Sequence, residues 1–234
     1  MTAVQTARAR ARAELTGQIK DEARRQLASS GAGGLSLRSV ARELGIAASA
    51  IYRYFPNRDA LLTGLLVDAF NALGAAVEKA AKQSPPVREP RIAWRAACAA
   101  VRTWAKRHPH EYALIHGTPV PGYQAPQDTV EPAARTPLAL LAVVRDARYA
   151  GWIVEPPEAT APRGELHEQL APIVAANAPE VPVAVLARTM VAWSQLFGMV
   201  SFELFGALVG SADPADEFFD YSVERMADFL GFVV

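Results

Sequence analysis

Cysteine is almost missing from this sequence of 234 residues, since Cys98 is its only example. A lone cysteine forms no internal bridge, which excludes a disulfide-stapled scaffold and suits a reducing compartment. Apolar residues nevertheless make up 51% of the chain. This share excludes a disordered chain, and the length allows a sizeable buried core in one or two domains.

Long uncharged apolar runs are absent as well. The most apolar uncharged stretch, Thr189 to Phe202, has 14 residues, whereas crossing a bilayer takes about 20. The first 15 residues are basic and contain no apolar run, unlike a secretory signal. We therefore expect a cytoplasmic protein with no membrane partner.

Sequence signatures of catalysis are missing too. The chain contains no P-loop, dinucleotide fingerprint, GxSxG or HExxH motif. His108, His110 and His116 lie near one another in sequence, but a structural zinc site needs four ligands. Cys98 lies in an alanine-rich segment and is interpreted as a small core residue. We predict that the protein is not an enzyme, has no catalytic residue and uses neither a metal nor a cofactor.

The formal net charge is zero, but the charges are unevenly distributed. Residues 1–60 hold ten Lys and Arg against five Asp and Glu, and residues 61–234 hold 14 against 19. This division favours a polyanion-binding N-terminal part joined to a body with another role. A basic surface that is merely solvated explains the same charges.

Apolar residues recur at helical spacing along the chain, and no segment alternates with the period of a strand. The sequence therefore predicts an all-α fold. The predicted helices cover residues 7–29, 37–44, 48–54, 58–83, 90–106, 108–117, 137–150, 165–178, 182–209 and 214–230.

Residues 34–58 carry the most informative pattern. Ser36 is a predicted N-cap for a short helix, a glycine turn ends that helix, and a second short helix begins at Ala48. This spacing is typical of a helix-turn-helix, whose second helix enters the major groove of DNA. The small residues Ala48, Ser49 and Ala50 keep this helix narrow enough for a groove about 12 Å wide.

Short patterns spread over residues 15–62 are specific to one protein family. They are Leu35-Ser36, Val40-Ala41, Leu44-Gly45-Ile46, Ile51-Tyr52, Tyr54-Phe55 and Asn57-Arg58-Asp59-Ala60-Leu61-Leu62. In these patterns the chain resembles the TetR family of one-component transcriptional regulators. It departs from the family at Ala47, where a serine N-cap is usual, and at Tyr54, where histidine is frequent. The resemblance implies a three-helix DNA-binding domain in residues 1–60.

The resemblance also implies which residues contact a double-stranded DNA operator. They are Ser36, Arg38, Ala48, Ser49, Ala50, Tyr52, Arg53, Tyr54 and Arg58. The phosphate contacts among them are expected from Ser36, Tyr52, Tyr54 and Arg58. Arg38 suits a guanine edge, where a bidentate pair discriminates by about 1–3 kcal/mol, but a plain phosphate contact fits equally well. The ring of Tyr52 also suits core packing, and Arg8, Arg10 and Arg12 form either an arm that reaches DNA or a solvated tail.

Residues 90–230 carry a second set of patterns. They are Trp104, His108-Pro109, Glu111-Tyr112, His116-Gly117, Trp193-Ser194-Gln195-Leu196-Phe197-Gly198 and Phe202-Glu203-Leu204-Phe205-Gly206. These patterns are similar to the WHG-type C-terminal domain of some TetR-like proteins. The similarity implies that residues 61–234 form a larger helical domain that senses a ligand and dimerises through a four-helix bundle.

Independent support for a dimer comes from apolar residues that would be costly to expose. They are Leu196, Phe197, Val200, Phe205, Leu208, Phe218, Phe219, Met226 and Phe229. The alternative is that residues 182–209 form the buried central helix of a monomer.

Together these resemblances imply a sequence-specific DNA-binding transcriptional regulator, namely a ligand-responsive repressor that acts as a homodimer on a pseudo-palindromic operator. A small-molecule effector of unidentified structure would bind in the body and release the DNA. Candidate effector-binding residues, each of which also suits plain core packing, are Trp104, Tyr112, His116, Trp193 and Phe197. The alternative is an all-helical small-molecule binding protein without a DNA function, which needs no basic N-terminal part.

Overall fold

The computed structural model describes residues 3–83, 89–154 and 162–233, with side chains from Thr6 onward. Within these ranges the chain forms ten α-helices: α1 (Ala3–Ser30), α2 (Leu37–Glu43), α3 (Ala48–Ile51), α4 (Arg58–Gln83), α5 (Pro90–Arg107), α6 (Pro109–His116), α7 (Val130–Tyr149), α8 (Gly164–Asn177), α9 (Val183–Leu204) and α10 (Asp216–Leu230). The only β interaction of the described ranges is an isolated bridge between Ile153 and Phe232. The prediction of an all-α fold, with an N-terminal helix-turn-helix and a larger helical part after it, is confirmed.

Contacts divide the chain into two compact units. The head unit comprises Met1–Phe70 and His108–Val130, and the body unit comprises Asn71–Arg107 and Glu131–Val234. The functional division predicted after residue 60 stays a prediction. No sequence pattern predicted that α6 and the connection after it would group with the N-terminal helices.

The head unit has one apolar core, to which α1, α2, α3 and the first turns of α4 all contribute. Its members are Ile19, Ala23, Leu27, Leu35, Leu37, Val40, Ala41, Ile51, Phe55, Leu61, Leu62 and Leu65. The four-residue spacing that predicted α1 corresponds to this buried face, with Leu15 packed against its edge. Val120 and Tyr123, from the connection after α6, also pack on this core. Tyr123 is further fixed by a 2.8 Å hydrogen bond between its hydroxyl and that of Thr63 on α4.

The body unit is centred on α9, which packs against α5, α8 and α10. Leu196 and Val200 of α9 are fully buried, as is Met226 of α10. The indole of Trp94 on α5 is buried as well, and its nitrogen donates a 3.2 Å hydrogen bond to the main-chain oxygen of Val223. The one polar atom of this side chain is therefore paired. These contacts bury five of the nine apolar residues that suggested a dimer, namely Leu196, Phe197, Val200, Phe219 and Met226.

Several predicted helix boundaries were wrong, including the start of α1 at residue 7 rather than at Ala3, and three others have a clear physical reason. Helix α7 begins at Val130 rather than at residue 137, because Pro132 lies in its first turn, where the N–H has no intrahelical partner. Helix α9 ends at Leu204 rather than at residue 209, since Gly206 adopts a φ of 78° that stops the helix. Helix α3 spans only four residues, because the hydrogen bonds after Ile51 follow the tighter spacing of three residues.

Helices α4 and α9 are long and apolar enough, in length and composition, to cross a membrane. Each also has a face that is buried within the protein, at Leu62 and Leu73 in α4 and at Leu196 in α9. A core helix of a water-soluble protein has the same properties, so these two helices are weak evidence for a membrane location.

Candidate nucleic-acid interface

The helix-turn-helix is held in place by the buried face of its two short helices. Leu37, Val40 and Ala41 of α2 and Ile51 of α3 are buried in the head core, and Phe55 closes the far end. A four-residue helix is not stable alone in water, because one turn cannot offset the entropy of its nucleation. Tertiary burial of Ile51 therefore decides where α3 lies.

The start of α2 is capped as the sequence predicted. The hydroxyl of Ser36 accepts a hydrogen bond from the N–H of Ser39 at 3.4 Å. The N–H of Ser36 itself donates to the side-chain oxygen of Gln26 on α1 at 3.3 Å, which ties this cap to the preceding helix. A phosphate contact from Ser36 would therefore use a hydroxyl that already accepts one hydrogen bond.

The turn between the two helices depends on Gly45. Its φ of 66° lies in the left-handed region that glycine adopts without strain. The N–H of Gly45 donates to Arg42 and the N–H of Ile46 donates to Ala41, which satisfies two carbonyl groups at the end of α2. This turn sets the angle between α2 and α3.

Helix α3 has a small and exposed outer surface. Its first residues, Ala48 and Ser49, are exposed, and Ala50 is half-buried. The N-cap residue Ala47 makes no side-chain capping bond, so the helix start lacks a stabilisation of about 1 kcal/mol that serine gives. The narrow surface suits insertion between two phosphate ridges, while the start of the helix is weakly held.

The nine predicted DNA-contacting residues belong to the helix-turn-helix, the turn after it and the first residue of α4. Those that are exposed are Arg38, Ala48, Ser49, Tyr52 and Arg53, and those that are half-buried are Ser36, Ala50, Tyr54 and Arg58. None of the nine is fully buried. Their roles on DNA stay predictions.

Arg58 has the surroundings that least favour a phosphate contact. Its guanidinium donates to the main-chain oxygen of Ala32 at 2.6 Å and to that of Leu35 at 3.2 Å. These bonds brace the loop before α2 against the start of α4. The neighbouring Asn57 caps α4, since its side-chain oxygen accepts from the N–H of Ala60 at 2.8 Å.

The cations of the head fall into two groups. Lys20 and Arg24 both bind Asp68 at 2.7 Å, and Arg24 also binds Glu111 at 3.1 Å. In contrast, five arginines have no carboxylate within 4 Å among the residues that the structure describes: Arg8, Arg10, Arg12, Arg38 and Arg53. All five are exposed. The positive charge left uncompensated in the head therefore belongs to α1 and to the helix-turn-helix.

The predicted effector-binding residues are divided between the units. In the head, Tyr112 is fully buried and its ring lies 5.2 Å from that of His116. Burial lowers the pKa of His116 to about 4. In the body, Trp104 is buried, and the rings of Trp193 and Phe197 lie 5.9 Å apart.

The remaining chemistry-bearing residues form no recognisable centre. Within the ranges that the structure describes, no three His, Cys, Asp or Glu side chains group so that they could hold a metal ion. Cys98 is fully buried, and burial raises the pKa of its thiol well above the usual value. A thiol in that state is a poor nucleophile.

Comparisons with known proteins agree with this architecture. Residues 19–65 match the family model described as "Bacterial regulatory proteins, tetR family". Residues 94–226 match the one described as "Tetracyclin repressor-like, C-terminal domain". The second match alone covers more than half of the chain.

Individual relatives give the same result. An HTH-type transcriptional regulator of Mycobacterium tuberculosis is 46% identical over 124 residues, which are 50% of this chain and 50% of that protein. The chain thus spans about half the length of the curated relatives it matches. The crystal structure of the regulatory protein SCO4313 has 33% identity and a TM-score of 0.75, over 94% of this chain and 98% of that one. A protein of unknown function from Rhodococcus sp. RHA1 has 25% identity and a TM-score of 0.70, over 93% and 95%. With both halves matched and the helix-turn-helix in place, this chain belongs to the TetR family of bacterial regulatory proteins.

Proposed function

We propose that this protein is a ligand-responsive transcriptional repressor that binds a pseudo-palindromic DNA operator as a homodimer in the cytoplasm. The observation that carries the proposal is the surface of the helix-turn-helix. Arg38 and Arg53 are exposed there without a carboxylate partner among the described residues, beside a helix with small outer side chains. Uncompensated guanidinium groups beside a narrow helix suit a phosphate-lined groove.

Base recognition is assigned to three residues of this surface. Arg38 has its guanidinium free to make two hydrogen bonds to a guanine edge, and Ser49 and Arg53 are exposed on and just after α3. The methyl groups of Ala48 and Ala50 suit contact with thymine. Tyr52 and Tyr54 donate to phosphates on either side, which fixes the register of the helix without reading the sequence.

A homodimer is supported by two apolar stripes on the body. On α9 and just after it, Phe202 is 57% exposed and Phe205 is 56% exposed. On α10, Phe218, Tyr221 and Phe229 recur at helical spacing and are also exposed. Two such helices from each copy would form the four-helix bundle that the C-terminal resemblance implies. Apolar patches of this kind are costly to leave in water, and a second copy would cover them.

A dimer also suits the task of finding one site in a genome. A single helix-turn-helix contacts too few base pairs for this, whereas two heads about 34–36 Å apart read both halves of a palindrome. Occupancy of a promoter by such a dimer blocks transcription without further chemistry, so repression needs no catalytic group.

An effector site in the body is assigned to the aromatic residues Trp104, Trp193 and Phe197, while the predicted contacts of Tyr112 and His116 in the head stay a prediction. Their character favours a planar or largely apolar small molecule. The indole nitrogen of Trp193 is buried and has no hydrogen-bond partner within the described part of the chain. A buried N–H without a partner is costly, so a ligand with an acceptor atom would gain affinity there. The ligand releases DNA only if it binds the two arrangements of the dimer with different affinity.

The decisive experiment is selection of bound duplexes from random DNA by the purified protein, followed by mobility shifts on the selected sequence. We expect a palindromic consensus with half-sites one helical turn apart. The Arg38→Ala, Tyr52→Ala double variant should lose most of this binding, while Arg42→Ala, which removes an exposed arginine already paired with Glu43, serves as the control. Recovery of no consensus, or full binding by the double variant, would refute the DNA assignment and favour a helical small-molecule binder.

A further inference from the structure

We call residues 48–54, which are α3 and the turn after it, the recognition segment. Arg12 on α1 contacts the end of this segment. Its Nη2 donates to the main-chain oxygen of Arg53 at 3.2 Å. The same guanidinium lies over the ring of Tyr54, with 5.3 Å between Cζ and the ring centroid. One exposed side chain of α1 therefore holds both the backbone and an aromatic ring directly after α3.

The recognition segment has few other fixed points at this end. Helix α3 is one turn long, and Ala47 gives it no side-chain cap. Ile51 and Phe55 anchor it from the inner side. A cation on the terminal carbonyls of a helical turn pairs with groups that lack an intrahelical partner and suits the negative end of the helix dipole. Arg12 supplies this from the outer side.

The positions of the three arginines near the start of α1 are not equivalent. On an α-helix, Arg8 and Arg12 are about 40° apart, whereas Arg10 is about 160° from Arg12 on the opposite side. All three are exposed, so they contribute similarly to the overall positive charge. Only Arg12 has a contact with the recognition segment among the contacts of the described residues.

We propose that Arg12 is a positioning residue for DNA recognition, which holds Tyr54 and the turn after α3 in the geometry that fits the operator. This inference rests on the proposed function, because it assumes that residues 36–58 read DNA. It concerns the fidelity of that reading rather than attraction to the phosphates. A positioning role requires that loss of Arg12 weakens binding to the correct sequence more than binding to DNA in general.

The test compares Arg12→Ala with Arg10→Ala, which removes the same charge from the other side of α1. Affinities are measured for the selected operator and for an unrelated duplex of equal length, over a range of salt. We expect Arg12→Ala to weaken operator binding about tenfold more than Arg10→Ala does, since both copies of a dimer lose the contact. Both variants should weaken binding to the unrelated duplex to the same small degree.

A second measurement separates positioning from stability. Tyr54→Phe keeps the ring beneath Arg12, whereas Tyr54→Leu removes it. If Arg12 acts through that ring, its replacement should cost much less operator affinity in the Tyr54→Leu background than in the Tyr54→Phe background. Arg12→Lys keeps the charge and should recover only part of the operator affinity, because an ammonium lacks the planar guanidinium.

Three outcomes would overturn the proposal. Equal losses for Arg12→Ala and Arg10→Ala would show that only charge matters. Equal losses on operator and unrelated duplex, with a flatter salt dependence, would make Arg12 a phosphate contact. A variant that melts at lower temperature yet keeps its preference for the operator counts against positioning as well. Failure of the wild-type protein to select any sequence would instead refute the proposed function itself.

Discussion

The head and the body leave opposite kinds of groups unsatisfied at their surfaces. In the body, several arginines are matched by carboxylates: Arg102 makes two hydrogen bonds of 2.6 and 2.7 Å to Glu203, and Arg135 makes two of 2.9 and 2.8 Å to Glu78. What the body exposes instead is a set of aromatic rings on α9 and α10. In the head most large apolar side chains are buried, and five exposed arginines, namely Arg8, Arg10, Arg12, Arg38 and Arg53, lack carboxylate partners within the described residues.

This difference indicates what each surface can bind. Unpaired guanidinium groups attract a polyanion, and the attraction weakens with salt. Covering exposed rings with another apolar surface is favourable, and salt weakens that association little. The head is therefore suited to DNA and the body to a second copy of itself. Four changes can break or sharpen the contrast, beginning with the one of largest expected effect.

Replacing one ring of the body with a charge should abolish dimerisation. In Phe202→Glu a carboxylate would be buried between two copies, and analytical ultracentrifugation should report a monomer. Operator affinity should fall about 100-fold, because the two heads no longer bind as one unit. The thermal unfolding of the variant should still be cooperative, as expected for a monomer that remains folded.

The matched control is Ile92→Glu, which places the same charge on a similarly exposed apolar residue of α5, outside the two stripes. This variant should remain a dimer with unchanged operator affinity. A dimer that persists in Phe202→Glu would mean that the exposed rings of α9 do not form the interface.

On the head, the contrast is between two arginines of the same helix. Arg38 has no carboxylate partner among the described residues, whereas Arg42 is paired with Glu43 at 3.1 Å. Arg38→Ala should weaken operator binding by about 1–3 kcal/mol, and Arg42→Ala should have little effect. Fluorescence anisotropy with labelled duplexes measures both affinities.

The pattern of the Arg38→Ala loss also decides between the two interpretations of this residue. A base contact predicts that the variant tolerates any base at one position of each half-site. A phosphate contact predicts a uniform loss across sequences, with a salt dependence that is flatter by about one counterion.

Much of the head was predictable because local rules decide its structure. The cap at Ser36 and the glycine turn at Gly45 are each fixed by a few neighbouring residues, and the structure confirms both. The buried faces of α1 and α2 follow from helical periodicity in the same way. Sequence patterns report such features well, since no distant contact overrides them.

The features that the sequence did not reveal depend on long-range contacts. Val120 and Tyr123 lie among prolines in an irregular segment, and only the fold shows that they pack on the head core. The bonds from Arg58 to Ala32 and Leu35 join residues more than 20 positions apart. For the same reason, the contact between Arg12 and the recognition segment was not predicted, since 41 positions separate Arg12 from Arg53. No local pattern encodes such pairings.

The paired charges of the body should contribute to stability rather than to binding. Glu203 accepts from Arg102 and from Lys106, and hydrogen bonds from Arg102 lower the pKa of its carboxyl. Glu203→Gln should therefore destabilise the body by about 1–2 kcal/mol, because water in contact with the pair screens part of its attraction. The four tryptophans all lie in the body unit, so their fluorescence during urea unfolding measures this loss.

Glu43→Gln is the control on the head, since its pair with Arg42 is exposed and contributes little. A body that is as stable in Glu203→Gln as in the wild type would mean that the matched charges do not distinguish it from the head.

The smallest expected effect concerns acid, and here the two units should respond in different pH ranges. His116 in the head is neutral when folded, because burial between the rings of Phe70 and Tyr112 lowers its pKa to about 4. The unfolded chain takes up this proton below about pH 6.5, so protons favour unfolding. The contribution of His116 is thus fully present above pH 6.5 and declines as the pH falls toward 4.

Glu203 and Glu224 in the body have lowered pKa values, so their contribution is fully present above pH 4.5 and is lost only as the pH falls through those lowered values. Between pH 6.5 and 5.5, urea unfolding followed by circular dichroism should therefore show the head losing about 1 kcal/mol while tryptophan fluorescence shows the body unchanged. His116→Gln should remove this loss, because glutamine does not titrate. If both signals decline together in the wild type and in His116→Gln, the early acid sensitivity does not come from the buried imidazole. The head and the body would then lose stability over the same pH range.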